Sequence, residues 1–178
     1  MKLAMRNVIS ALVLGSMVVA AEPLTAEQKA KVEAKVAAIK SWGSDAAMVA
    51  AVKERNANPQ HKDMTQEKWK ALSVVDPVVR GFTQNATAAW LKSHKDAATS
   101  EMFVSGNDGT KVAFLAKTTN WSHKGKAKHD VPMTGKTWIG DAEMDESTGQ
   151  KEVQVSFPVL DGGKAIGSVV VGLSVFKL

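Results

Sequence analysis

The chain has no cysteine and no tyrosine. Without cysteine no disulfide can brace the fold, and thiolate catalysis and thiolate metal ligation are excluded. A lipid anchor on an N-terminal cysteine is excluded with them. Stability must come from the core alone. Aromatic residues make up only 6% of the chain, so no basic stripe interleaves with aromatics, and a nucleic-acid surface is not expected. His61, His94, His123 and His129 fall at no metal-ligand spacing on any expected element, which leaves no zinc site. Gly-x-Ser-x-Gly is absent. Gly135-Lys136-Thr137 looks like the end of a phosphate loop, but Asp130 stands where that motif needs glycine. No enzyme activity and no cofactor are expected.

Long apolar runs are also missing, apart from one at the start. Lys2 and Arg6 precede an apolar stretch from Val8 to Val19, and Val19-Ala20-Ala21 follows before Glu22. A charged start, a short apolar middle and small closing residues describe a secretory signal peptide over residues 1–21. The run is too short to favour a lasting membrane anchor. Cleavage leaves residues 22–178, a length that suits one domain. The expected location is the periplasm, with no stable membrane insertion. The formal charge of +5 falls to +3 once Lys2 and Arg6 leave, so the basic balance is mild.

What is present is clearest between Val153 and Phe176. Val153, Val155, Phe157 and Val159 alternate with Gln154, Ser156 and Pro158, the period of a strand with one buried face. Asp161-Gly162-Gly163-Lys164 reads as a hairpin turn, because glycine adopts positive φ at little steric cost. The returning strand from Ala165 is apolar on both faces, which places it inside a sheet.

Upstream, Thr25 and Gln28 form a capping box, and Val32, Val36 and Ile39 share one face of an amphipathic helix of about four turns. Gly43-Ser44 interrupts it, and Ser44 is the expected cap of a second helix reaching Val52 or beyond. A short helix starts at Thr65 and holds Trp69. Another starts at Asp76-Pro77, with proline at its first position. A further helical stretch carries Ala88, Trp90 and Leu91. The second half changes to strands: Glu101–Val104, a turn at 106–109, a return over Lys111–Ala116, and a strand from Trp138. Between them, Lys117–Lys136 is expected to be a long irregular connection, and such connections are often functional. A turn is expected at Asp145–Gly149. This order predicts an α+β domain of five antiparallel strands against a long N-terminal helix, with additional short helices.

The segment Phe103-Val104-Ser105-Gly106-Asn107-Asp108-Gly109-Thr110-Lys111-Val112-Ala113 resembles a hairpin of the Cache, or PDC sensor, family of PAS-like extracellular modules. Lys117–Trp121, Asp145–Gly149, Val153–Val159 and Gly162–Gly167 resemble the segments that follow it in that family. The resemblance runs from Thr25 to Leu178. It implies a PAS-like five-stranded antiparallel sheet packed on a long helix. It also implies a pocket for a small carboxylate, amino acid or amine, in a protein that senses. Two departures stand out. Gly125-Lys126-Ala127 replaces the acidic Gly-Asp-Glu of many relatives, and tyrosine is missing throughout. The chain carries no output segment after Leu178, so it resembles a stand-alone version of the module.

Candidate ligand residues lie in the second half. Trp121 either walls a pocket or plugs the connection onto the core. Lys117 beside it could hold a carboxylate, with Thr119 and His129 in the same segment. Trp138, Asp141 and Asp145 lie where the resemblance implies a ligand-contacting aromatic and acid; an acid there would suit an amine, and with Lys117 an amino acid, although a turn role competes for Asp145. Ser156 faces either pocket or solvent. Two other readings stand beside ligand binding. One is a structural module whose N-terminal helix pairs with a copy of itself or docks a membrane receptor. The other is a hydrolase using His123 or His129 with Asp130 or Asp145, which nothing in the spacing favours beyond proximity.

Overall fold

The computed structural model describes residues 23–144 and 151–178. The leader over 1–21, and the turn with Asp145, lie outside the described residues. Helix α1 spans Ala26–Ile39 and begins with the expected capping box of Thr25 and Gln28. A 3₁₀ turn over Lys40–Ser44 leads to α2, Ala46–Ala57. Asp45, not Ser44, caps α2: its Oδ1 accepts from the amides of Ala47 and Met48. Ser44 belongs to the 3₁₀ turn, so it cannot be the extended residue that a cap requires.

Three short helices follow: α3 (Gln66–Ala71), α4 (Pro77–Gln84) and α5 (Ala86–His94). Thr65, Asp76 and Asn85 cap them through side-chain oxygens. Strands β1 (Thr99–Gly106) and β2 (Lys111–Phe114) form the first hairpin. Then come α6 (Ala127–Met133), β3 (Trp138–Met144), β4 (Lys151–Asp161) and β5 (Lys164–Ser174). The antiparallel sheet runs β2-β1-β5-β4-β3. The doubly apolar strand β5 sits at its centre, as its two faces require. Gly162 and Gly163 take φ of 57° and 85°, the pair of positive values a tight two-residue hairpin needs.

Two further points depart from the sequence reading. The connection Lys117–Lys136 contains α6, which has no apolar period and carries Pro132, a residue that reads as a helix breaker. Strand β4 is covered on both faces, and Ser156 and Pro158 are buried with the valines that alternate with them.

The first face of the sheet packs Met102, Val104, Val155 and Phe157 against Val32, Val36 and Ile39 of α1 and Met48 and Val52 of α2. Full burial of each such side chain contributes roughly 1.5–3 kcal/mol. The second face is divided. At the β2 end an aromatic cluster of Trp69, Phe82, Phe103, Phe114 and Trp121 fills it. Toward β4 and β3 it turns polar and is covered by α6.

Candidate functional site in a polar hollow

The polar part of the second face owes its shape to two bulges. On β1, Ser100 and Glu101 lie between the pairs Thr99↔Leu173 and Met102↔Val171, opposite Gly172 alone. On β3, Gly140 and Asp141 lie between Ile139↔Val155 and Ala142↔Val153, opposite Gln154 alone. Gln154 is itself paired with Gly172. One row across the sheet therefore reads Ser100-Glu101, Gly172, Gln154, Gly140-Asp141. A bulge adds a residue and re-aims the side chains around it.

Side chains along this row form one network. Ser100 Oγ donates to Glu152 Oε2. Gln154 Nε2 donates to Glu101 Oε1 and, at 3.1 Å, to Glu152 Oε1. Lys128 on α6 reaches down so that its Nζ donates to Gln154 Oε1. Gly172 is the gap that accommodates the cluster. A Cβ there would lie 2.6 Å from both Glu152 Oε2 and Ser100 Oγ. Gly140 plays the same part for Trp138, whose indole lies over it: a Cβ would sit 2.6 Å from the ring.

Above this row is a hollow of about 250 Å³. Glu152 and Gln154 line it from β4, Trp138, Asp141 and Glu143 from β3, and Thr119, Asn120 and Lys128 from the connection and α6. A smaller recess of about 60 Å³ continues to Glu101, Phe103 and His123. Three carboxylates thus surround the main hollow against one ammonium, beside a half-buried indole. Burial pushes the Lys128 ammonium below its ordinary pKa, and Glu101, Glu152 and Glu143 oppose that shift. The arrangement can receive a cation by charge-assisted hydrogen bonds and across the Trp138 ring face.

Behind the recess lies a buried basic pair. Lys111 is fully buried; its Nζ contacts His123 Nδ1 and sits 4.4 Å from the Phe103 ring centre. Burial lowers the pKa of Lys111 well below the lysine range. Burial first, and then the charge of Lys111, pushes His123 far down. His129 is also lowered, chiefly by burial, and its Nδ1 lies 2.8 Å from Ser168 Oγ.

Of the residues singled out in the sequence, Thr119, Trp138 and Asp141 come together at the hollow. His129 and Ser156 are buried on the same side of the sheet but do not line it. Ser156 Oγ has no hydrogen-bond partner among the described residues. Lys117 lies over the Trp69 ring at 5.0 Å, and Trp121 joins the aromatic cluster, 5.2 Å from Trp69. Asp145 lies outside the described residues. Sequence reasoning missed Glu101, Lys128, Glu143, Glu152 and Gln154. The alternation of Glu152 and Gln154 with Val153 and Val155 was a signal for two of them, because it puts both on the face opposite the core.

The chain is an α+β domain whose five-stranded antiparallel sheet, long N-terminal helix and short helices give the PAS-like architecture that its sequence leads one to expect. No known family profile matches it, and no curated protein is similar to it. Solved structures are similar in fold. The sensor domain of the Vibrio cholerae histidine kinase DctB matches 83% of this chain and 52% of its own, at 11% identity and a TM-score of 0.48. The ligand-binding domain of the Campylobacter jejuni chemoreceptor Tlp3, in complex with 4-methylisoleucine, matches 83% of this chain and 54% of its own, at 15% identity and a TM-score of 0.42. The ligand-binding domain of the Pseudomonas aeruginosa amino acid chemoreceptor PctC, in complex with GABA, covers 82% and 62%, at 12% identity and a TM-score of 0.37. The chain thus spans about half to three fifths of the length of these structures. These are likenesses of fold.

Proposed function

We propose that this domain is a small-molecule binding module that takes a compact metabolite carrying an ammonium group, an amine or an amino acid, in the hollow beside Trp138. The observation that carries this is the convergence of Asp141, Glu143 and Glu152 with one indole around about 250 Å³. That volume is below the range of drug-sized pockets, which suits a small polar ligand. Lys128 supplies the partner for a carboxylate, so an amino acid satisfies both signs of charge, whereas a plain carboxylate meets three acids. The module acts by binding, without chemistry of its own. We place it in the periplasm, on the strength of the leader-like start. Among the described residues no helix is long and apolar enough to cross a membrane.

The docking-module reading requires an apolar stripe of α1 left uncovered. Val32, Val36 and Ile39 are instead buried in the domain, which favours the ligand reading. Calorimetric titration with L-alanine, 1,4-diaminobutane, n-butylamine and butyrate tests the proposal. Binding is expected for at least one ammonium-bearing probe and not for butyrate. It should weaken by about tenfold or more in Trp138→Ala, for one lost contact of about 1.4 kcal/mol. Binding of butyrate alone, or of none of the four, removes the proposal.

A further inference from the structure

Arg55 is a buried cation that the site above does not use. It leaves α2 beneath the β1–β2 hairpin and is only 8% exposed. Its Nε donates to the carbonyl of Lys111 at 3.2 Å, and its Nη2 donates to Thr110 Oγ1. A guanidinium has five N–H donors. The others meet no protein acceptor among the described residues, and no carboxylate there lies within ion-pair distance. Buried charges are ordinarily paired, because removing them from water is costly.

The space around Arg55 is not filled. Two hollows adjoin it, of about 310 and 190 Å³, and Arg55, Gln60 and His61 line both. The larger has apolar walls from Val78, Phe82, Ala86 and Val112. The smaller is walled by Trp121 and Pro59 and carries Lys62. His61 is held at φ of 52°, a left-handed conformation uncommon outside glycine. That conformation keeps its ring 5.7 Å from Phe82 and 6.3 Å from Trp121. Two acids also line the space. Glu54 Oε1 accepts from the Asn58 side-chain Nδ2, and Asp108 Oδ1 accepts from the backbone amide and hydroxyl of Thr110, so both have hydrogen-bond donors of their own.

We infer that this two-lobed space is a second binding site, for a small carboxylate with an aromatic or aliphatic body. The guanidinium fork would take the carboxylate, a pairing whose geometry lysine cannot copy. The Phe82–Val112 walls would take the apolar body. The inference is independent of the ammonium site. The two lie at opposite ends of the sheet, one beyond β2 and one at β3 and β4, and share no lining residue.

The test uses sodium benzoate and its uncharged counterpart benzyl alcohol, with sodium phosphate at matched ionic strength. Ligand-observed saturation-transfer NMR and the shift in melting temperature are the readouts. Benzoate is expected to bind at about millimolar concentration or better, and benzyl alcohol at least about tenfold more weakly. Arg55→Met keeps the apolar stem and should cut benzoate binding by at least about tenfold. Should that variant not fold, His61→Asn serves instead, since asparagine tolerates positive φ. It should weaken benzoate severalfold at an unchanged melting temperature. Glu152→Gln, at the other site, should leave benzoate untouched. Equal binding of benzoate and benzyl alcohol, phosphate binding as tight as benzoate, or benzoate binding indifferent to both Arg55→Met and His61→Asn would each overturn the inference. Loss of benzoate binding in Glu152→Gln would overturn it too. A failure here leaves the ammonium site standing, because its probes and variants differ.

Discussion

Replacing Gly172 by alanine should damage the ammonium site while leaving the fold in place. The added Cβ would fall 2.6 Å from Glu152 Oε2 and Ser100 Oγ and 2.7 Å from Glu101 Cγ. Glu152 and Ser100 must each give by about 0.8 Å to reach the 3.4 Å of ordinary contact. Glu152 Oε2 and Ser100 Oγ end their side chains and can swing aside, whereas Glu101 Cγ must shift together with its carboxylate. The bond from Ser100 to Glu152 is the first loss, and a hydrogen bond to a charged group contributes about 1.5–3 kcal/mol. Offsetting it, glycine-to-alanine at a compatible backbone gains about 0.4–1 kcal/mol through the unfolded state. A net destabilisation of about 0.5–2.6 kcal/mol follows, with a melting temperature lower by about 2–4 °C for each kcal/mol. Binding should suffer more. Misplacing the carboxylate that meets the ammonium removes one charge-assisted bond, about 1.5–3 kcal/mol, or roughly 10- to 100-fold in affinity. Calorimetric titration of the tightest ammonium probe reads this directly. Gly81→Ala is the control: nothing lies within 4 Å of its Cβ, and it sits in α4, so it should stabilise slightly and bind normally. Unchanged affinity in Gly172→Ala would refute the claim that the Glu101–Glu152 cluster shapes the binding site.

Three further outcomes are expected. His123 and His129 have folded-state pKa values below their unfolded ones, chiefly through burial. Below about pH 6.5 the unfolded chain then binds more protons, so stability present at neutral pH is lost as pH falls, by about 1.4 kcal/mol per pH unit for each histidine that stays neutral. Urea midpoints at about pH 7 and pH 5 should show this, with a shallower fall in His123→Phe; equal midpoints would contradict it. Trp69 is fully buried and its Nε1 donates to the carbonyl of Thr118 at 2.7 Å, so Trp69→Ala should cost about 3–5 kcal/mol in chemical denaturation. Asp45→Ala should cost about 1 kcal/mol and lower the melting temperature by about 2–4 °C, while Ser44→Ala stays within about 0.5 kcal/mol; the reverse order would show the cap misassigned.

The sequence by itself determined the strands, the N-terminal helices and the centre of the sheet, but not α6. Alternation over Val153–Val159 and the doubly apolar run after Gly163 required paired strands with β5 inside, because a strand apolar on both faces is satisfied only where neighbours and covering layers bury both. Capping at Thr25 and Asp76-Pro77 marked helix starts, because those side chains meet amides that the helix leaves unpaired. Only the tertiary structure decided the site. The bulge opposite Gly172 depends on pairing between β1 and β5, far apart in the chain, and no local pattern records either that bulge or the one opposite Gln154. Together the three strands bring Asp141 and Glu152 to the main hollow and Glu101 to the recess that continues it. The fate of Trp121 was settled in the same way: its sequence neighbours are polar, and only the meeting of α3, α4 and β2 supplies the aromatic partners that bury it. Arg55 is equally silent in sequence, one basic residue near the end of a helix. Its burial without a carboxylate follows from where the β1–β2 hairpin crosses α2.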